Sequence, residues 1–194
     1  MPGLILVKHS LTSIKPDLPA SQWHLSEQGR RRCWALADKL ALHRPVVIVT
    51  STEPKAVETG HLVADRLGVP CETADGLHEH DRRNVGFLTT EEFEARVAEF
   101  FARPAELVFG SETADQAHAR FRAAVDTVLA RYPDQAVAIV AHGTVMTLFV
   151  VRTTGLAPFP FWKQLGLPSF VVMSRPDFRF LSIETSEALE TLEV

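Results

Sequence analysis

Three places in the sequence put chemically capable side chains directly after a run of apolar residues. Leu4–Val7 ends on Lys8, His9 and Ser10; Val46–Val49 is followed by Thr50, Ser51 and Thr52; and Ala136–Ala141 gives way to His142 and Gly143. Lys55 follows shortly after the second cluster, just inside the next predicted helix. A neutral imidazole is a nucleophile or proton carrier near neutral pH. Ammonium groups offset negative charge, and the N–H groups at a helix start point at an anion. Two histidines, two lysines and a helix start would make a pocket for a phosphate-like anion, with His9 in reach of it. Taken singly the residues are ordinary, since strands commonly end in polar residues and a helical lysine usually faces water.

For these clusters to meet, the chain must bring the ends of separate segments to one edge. The three apolar runs have no polar alternation, as in parallel strands covered on both faces by helices. Between them the sequence punctuates helices. Ser26 suits an N-cap, Glu27 a first turn, and Cys33, Leu36, Ala37, Leu40 and Ala41 keep helical spacing, so Ser26–His43 is predicted as a helix stopped by Pro45. Pro54 opens a second, with Ala56, Gly60, Val63, Ala64 and Leu67 on one stripe and Gly68 and Pro70 at its end. Residues 71–74 could form a short strand. Thr89 with Glu92, and Thr113 with Gln116, read as capping boxes ahead of two further amphipathic helices. Thr144–Thr153 reads as a short buried helix, Leu156–Trp162 as a Pro- and aromatic-rich loop, and Phe170–Met173 and Phe178–Ile183 as strands around an Arg175-Pro176-Asp177 turn. Leu11–Leu25 is predicted as a loop. Alternating strands and helices imply an α/β fold: a doubly wound, mostly parallel sheet with helices on both faces. The span 1–194 reads as one domain, with a variable region at about 75–115. In open sheets of this kind ligands bind outside the carboxyl ends of the strands, where all three polar clusters fall.

In this order the segments resemble the histidine phosphatase superfamily, also called the phosphoglycerate mutase-like superfamily. Its strand ending in Arg-His-Gly aligns with Leu6-Val7-Lys8-His9-Ser10. Its Ser followed by a helix with Arg-Ala and a later Thr aligns with Ser51, Lys55, Ala56 and Thr59. Its Leu-x-Glu aligns with Leu77-His78-Glu79, and its late His-Gly with His142-Gly143. Weaker echoes are Leu25, Ser26 and Gly29, and Gly110, Glu112 and Thr113. The resemblance covers nearly the whole chain and implies a three-layer sandwich. It implies a phosphomonoester hydrolase working through phosphohistidine at His9, with Glu79 as general acid and base. Lys8, Lys55 and His142 would hold the phosphoryl oxygens, beside Ser10, Ser51 and Gly143. It implies no cofactor and no metal. The sequence departs from the family at Lys8 and Lys55, where arginine is usual, at Ser10, where glycine is usual, and at Leu11, where Glu or Gln is usual. Lysine keeps the charge but loses the planar two-pronged donor set that matches a phosphate. These departures leave open a weakened enzyme or a phospho-ligand binding protein with a degraded site. Mutase-type phosphotransfer is a further alternative, although the family's extra mutase segment is missing.

Composition narrows the partners. The chain of 194 residues is 46% apolar and 23% charged, with a formal net charge of −4, so it carries no basic footprint for nucleic acid. No apolar run reaches membrane-spanning length. Two cysteines, Cys33 and Cys71, and an N-terminus without a signal-peptide pattern point to the cytoplasm. The expected partner is a small phosphorylated metabolite, and a homodimer is left open. His78, His80 and Asp81 resemble part of a binuclear metal motif, but Arg82 and Arg83 follow at once and oppose cation binding. The same two arginines could meet an anionic substrate tail or be surface charge.

Overall fold

The computed structural model describes residues 3–185. Six strands, β1 (Gly3–Lys8), β2 (Val47–Thr50), β3 (Cys71–Thr73), β4 (Val137–Ala141), β5 (Ser169–Ser174) and β6 (Phe180–Glu184), form one sheet in the order β3-β2-β4-β1-β5-β6. β3, β2, β4 and β1 pair in parallel, whereas β5 is antiparallel to both β1 and β6. The sheet is thus mostly parallel, as the continuous apolar runs imply.

Successive side chains of a strand point to opposite faces, and the two faces carry separate cores. Leu4, Leu6, Val47, Val49, Val137 and Ile139 face one, where α4 (Ala114–Ala130), α5 (Gly143–Thr154) and the buried side of α3 (Thr90–Ala102) contribute Phe121, Val125, Phe149, Val97 and Phe100. Ile5, Val7, Ile48, Ala138 and Val140 face the other, against Cys33, Leu36 and Leu40 of α1 (Glu27–Ala41) and Ala56, Val63 and Ala64 of α2 (Pro54–Leu67). Helices therefore cover both sides. Both capping boxes form as the sequence predicts, at Thr89–Glu92 and Thr113–Gln116. Ser26 caps α1 by accepting from the Gly29 amide. Cys33 and Cys71 are both unpaired.

One predicted loop is partly a helix. Leu156–Trp162 contributes to α6 (Pro158–Gln164), with Pro158 in its first turn. Prolines argue against a helix interior, but the first turn has no intrahelical use for their missing N–H groups. Both Pro158 and Pro160 fall there, so the same residues that suggest a loop start a helix. The predicted loop from Leu11 to Leu25 contains a single 3-10 turn, Ala20–Gln22, and an isolated antiparallel bridge between Thr12 and Leu25.

That loop crosses the start of α1 closely. The Leu11 carbonyl accepts from the Ser26 amide at 3.0 Å, and a Cβ on Gly29 would lie 2.0 Å from the same carbonyl oxygen. Backbone cannot give way there as a side chain could. Gly29→Ala should therefore destabilise the fold by about 1–3 kcal/mol or more, read as a lower midpoint in urea unfolding with an unchanged slope.

Candidate active site

β4 lies between β1 and β2, so the carboxyl ends of all three stand side by side. Two backbone hydrogen bonds extend the pairing one residue past the strands, His9 N–H to Ala141 O at 3.1 Å and Ser51 N–H to Val140 O at 2.9 Å. The imidazoles of His9 and His142 come within 5.2 Å, centroid to centroid, and both are almost fully buried. The predicted residues Lys8, His9, Ser51, Lys55, Glu79, His142 and Gly143 thus converge on one crevice.

His9 Nδ1 lies 2.8 Å from the Ser10 carbonyl. A carbonyl only accepts, so Nδ1 carries the proton and Nε2 keeps its lone pair. Burial, then the nearby His142 and Lys55, holds this imidazole well below its ordinary pKa, so it stays neutral. His142 is lowered in the same way, by burial first and by Lys55 next. Its Nε2 lies 2.7 Å from Ser51 Oγ, and its buried Nδ1 has no partner. When Ser51 donates to Nε2, Nδ1 holds the imidazole proton and is a donor awaiting an acceptor.

The lysines are engaged by the protein. Lys8 Nζ donates to the Leu165 carbonyl at 2.7 Å, just past the end of α6. Its stem lies beside Gly143, where a Cβ would sit 3.2 Å from Lys8 Cε and 3.3 Å from Trp162 Nε1. Burial lowers the Lys8 pKa to about 8, although Glu79 works against it. Lys55 donates to Glu53 Oε2 and to the Ala20 carbonyl, each at 2.5 Å. Sequence reasoning missed Glu53, which is buried and makes three contacts: with Lys55, with the Glu79 amide at 2.9 Å through Oε1, and at 3.7 Å with His142 Nε2. The signal was there, an acidic residue two positions before a site lysine, but such spacing is common on surfaces.

Glu79 sits at the start of α5, a helix whose first two turns are wholly buried. Its carboxylate accepts from the amides of Thr144 at 3.1 Å, Val145 at 3.2 Å and His80 at 2.9 Å. Burial alone would raise its pKa; Arg82, His142 and the amide donors outweigh that, and the net direction is down. Arg120, also missed, fixes the segment bearing Glu79: it donates to the carbonyls of Gly76, His78 and Glu79 and pairs with Glu112.

Ser10 does not join the others. Its hydroxyl donates to the Gly29 carbonyl at 2.7 Å and its amide to Thr59 Oγ1 at 3.0 Å, so both polar groups are committed to the body of the protein. His80 is likewise a core residue. Its ring packs on Phe100 and Phe109 and its Nε2 faces the Glu112 carbonyl, away from any pairing with His78. Among the described residues no group of three or more His, Cys, Asp or Glu could hold a metal ion.

The family model of the histidine phosphatase superfamily, branch 1, matches residues 4–177. The chain belongs to this superfamily. No curated protein matches its sequence. The fold is also that of several solved structures, phosphatases among them. A mycobacterial glucosyl-3-phosphoglycerate phosphatase is 21% identical with a TM-score of 0.77, over 95% of this chain and 98% of that one. A mutant phosphoserine phosphatase from Entamoeba histolytica, in complex with phosphoserine, is 16% identical with a TM-score of 0.77, over 97% and 100%. YhfR of Bacillus stearothermophilus is 21% identical with a TM-score of 0.73, over 93% and 95%. At these identities the likeness carries the fold. Among the described residues no helix is long and apolar enough to cross a membrane.

The Lys8 ammonium gives the charge of this crevice a pH limit. Lys8 is charged below about pH 8 and neutral above it. Sulfate keeps a constant charge over that range, so its affinity should fall about ten- to a hundredfold as pH rises from 7 to 10, the worth of one charge-assisted hydrogen bond. Lys8→Met, uncharged throughout this range and as narrow as lysine, should flatten the profile in titration calorimetry. An unchanged profile in both proteins would remove Lys8 from the anion site.

Proposed function

We propose that this chain is a metal-independent phosphomonoester hydrolase that works through a phosphohistidine at His9. The observation that carries the reading is the pinned imidazole: Nδ1 is held on the Ser10 carbonyl, and Nε2 is unprotonated beside a second neutral histidine.

The Nε2 lone pair of His9 attacks phosphorus, and the ester P–O bond breaks. Lys8, Lys55 and the Nδ1–H of His142 offset the charge on the equatorial oxygens. Glu79, protonated in the productive complex, gives its proton to the leaving oxygen as the alcohol departs. The resulting Glu79 carboxylate then takes a proton from water as that water attacks the phosphoryl group. The P–N bond breaks, its electron pair returns to Nε2, and phosphate leaves. Burial and the neighbouring His142 and Lys55 keep the His9 nucleophile neutral, while Arg82, His142 and the amide donors lower the Glu79 pKa, so its proton is taken up with the bound substrate. The substrate is a small phosphorylated metabolite, and the cytoplasm is where the composition puts the reaction.

One observation favours a second reading, a phospho-ligand binding protein with an idle site. The Lys55 charge is already balanced by buried Glu53. Radiolabelled substrate separates the two. The hydrolase should take up phosphate on His9 in a form stable to base and labile to acid, seen after an alkaline quench and absent in His9→Ala. A protein that binds vanadate or phosphate but never takes label would be the binding protein.

Glu79 is tested by leaving group. Glu79→Gln should slow alkyl phosphates about 10²–10⁴-fold, the usual worth of general acid–base catalysis, and p-nitrophenyl phosphate far less in the first step, because nitrophenolate leaves without a proton. Burst kinetics distinguish the first step from hydrolysis of the intermediate. Equal loss in the phosphorylation step for both esters would assign Glu79 a structural role only.

A further inference from the structure

A cavity of about 620 Å³ opens beside the histidine pair, within the size range of sites that enclose drug-sized ligands. Lys55, Glu53 and Glu79 line its inner end, whereas His9, Lys8 and His142 do not. If Glu79 gives its proton to the leaving oxygen, the leaving group lies on the Glu79 side of the phosphorus, which is this cavity. The inference therefore rests on the hydrolase reading above.

The far walls are unlike a site for a small polar alcohol. Ile14, Leu18 and Trp23 come from the loop after β1, and Phe87, Leu88 and Phe93 from the segment after Glu79. Ile14 is 62% exposed, Phe87 56% and Leu18 40%, so three large apolar groups stand in water around one opening. Apolar area left in water here is recovered when a ligand of like chemistry covers it. Most charges of the lining are already paired within the protein: Glu53 with Lys55, Asp81 with Arg83, and Glu79 with the α5 amides. Arg82 is the exception. Its guanidinium carbon lies over Phe93, 4.7 Å from the ring centre, and its nearest carboxylate oxygen, on Glu79, is at 4.0 Å. Its Nη1 is buried and has no hydrogen-bond partner. A buried N–H donor without an acceptor is destabilising, and a ligand oxygen there removes the penalty.

We propose that this cavity holds the leaving group, that it selects phosphomonoesters of large, mostly apolar alcohols over small polar ones, and that Arg82 donates to an oxygen carried on that group. The alcohol is a flat or extended apolar body, and a carboxylate or other oxygen acceptor sits where it meets the guanidinium.

Four primary alkyl phosphates of similar intrinsic reactivity test this: 2-(2-naphthyl)ethyl phosphate, its 6-carboxy derivative, ethyl phosphate and O-phosphoserine. The naphthyl ester should exceed ethyl phosphate and phosphoserine at least tenfold in kcat/KM, and the carboxylate should add a further several-fold. Phe87→Ala and Leu18→Ala should each shrink the naphthyl-to-ethyl ratio at least threefold. Arg82→Met should abolish the gain from the carboxylate, and Arg82→Lys should restore part of it. Phosphoserine or ethyl phosphate turned over as well as the naphthyl ester would overturn the size preference. A carboxylate without benefit, or a benefit that survives Arg82→Met, would overturn the role of Arg82. If no ester is turned over and His9 takes no label, the hydrolase reading fails by itself. The cavity is then judged by binding of 2-(6-carboxy-2-naphthyl)ethanol, followed through Trp23 fluorescence. Binding lost in Arg82→Met upholds the site, and no binding to the wild-type protein overturns it.

Discussion

The site depends first on the position of β4 between β1 and β2. Its register, Val7 with Val140 and Lys8 with Ala141 on one side and Thr50 with Val140 on the other, brings three remote segments into line. Parallel strands have evenly spaced hydrogen bonds, so the pairing can run past the last strand residue without a change of geometry. It does so at His9 and at Ser51, whose amides bond to Ala141 and Val140. The backbone of the proposed nucleophile and of the serine that orients His142 is thus held by the sheet itself. A one-residue slip would send Ile5, Val7, Ala138 and Val140 to the wrong core, which both buried faces forbid.

On that frame the charges are arranged as mutual supports. Glu53 neutralises Lys55 and also holds the Glu79 amide; Glu79 in turn closes the start of α5. Carboxylates at helix starts are favourable, and buried ions are tolerated only when paired and hydrogen-bonded. Each partner lowers the cost of burying the next. The same low-dielectric setting keeps both histidines neutral, because burial and the neighbouring cations oppose a further positive charge. A nucleophilic imidazole is therefore a product of the charge pattern around it as much as of its own bond to Ser10.

Much of this was legible in the residues. The three apolar runs announce a covered parallel sheet, and their polar ends mark the crevice, because periodicity and strand polarity are local properties. The capping boxes at Thr89 and Thr113 are local in the same sense. What escaped is what depends on tertiary contact. Ser10 looks like a substrate neighbour from its place beside His9, yet its hydroxyl turns to the Gly29 carbonyl. Glu53, Arg120 and Arg82 are unremarkable in sequence, since an acidic or basic residue in a polar stretch carries no period. α6 was hidden by its own prolines, and with it the Leu165 carbonyl that receives Lys8.

The lysines at positions 8 and 55 make sense against these contacts. An ammonium has three donors and no fixed plane. Lys8 uses one on Leu165, which leaves two; Lys55 uses two, on Glu53 and Ala20, which leaves one. On the proposed reading three charge-assisted donors thus remain for phosphoryl oxygens while the Leu165, Glu53 and Ala20 acceptors keep their bonds. An arginine at position 8 would have to pass its wide, planar head between the start of α5 and the Trp162 indole, where even a Cβ on Gly143 would approach Lys8 to 3.2 Å. The narrow lysine stem fits that passage and still delivers a charge at its end. On the same reading the planar guanidinium that the two lysines lack is supplied from another wall of the cavity by Arg82, held over Phe93. Charge for the phosphoryl group and planar recognition for the remainder of the substrate come, as proposed, from different residues, yet the two are coupled, because Arg82 also acts on Glu79, Lys55 and His142.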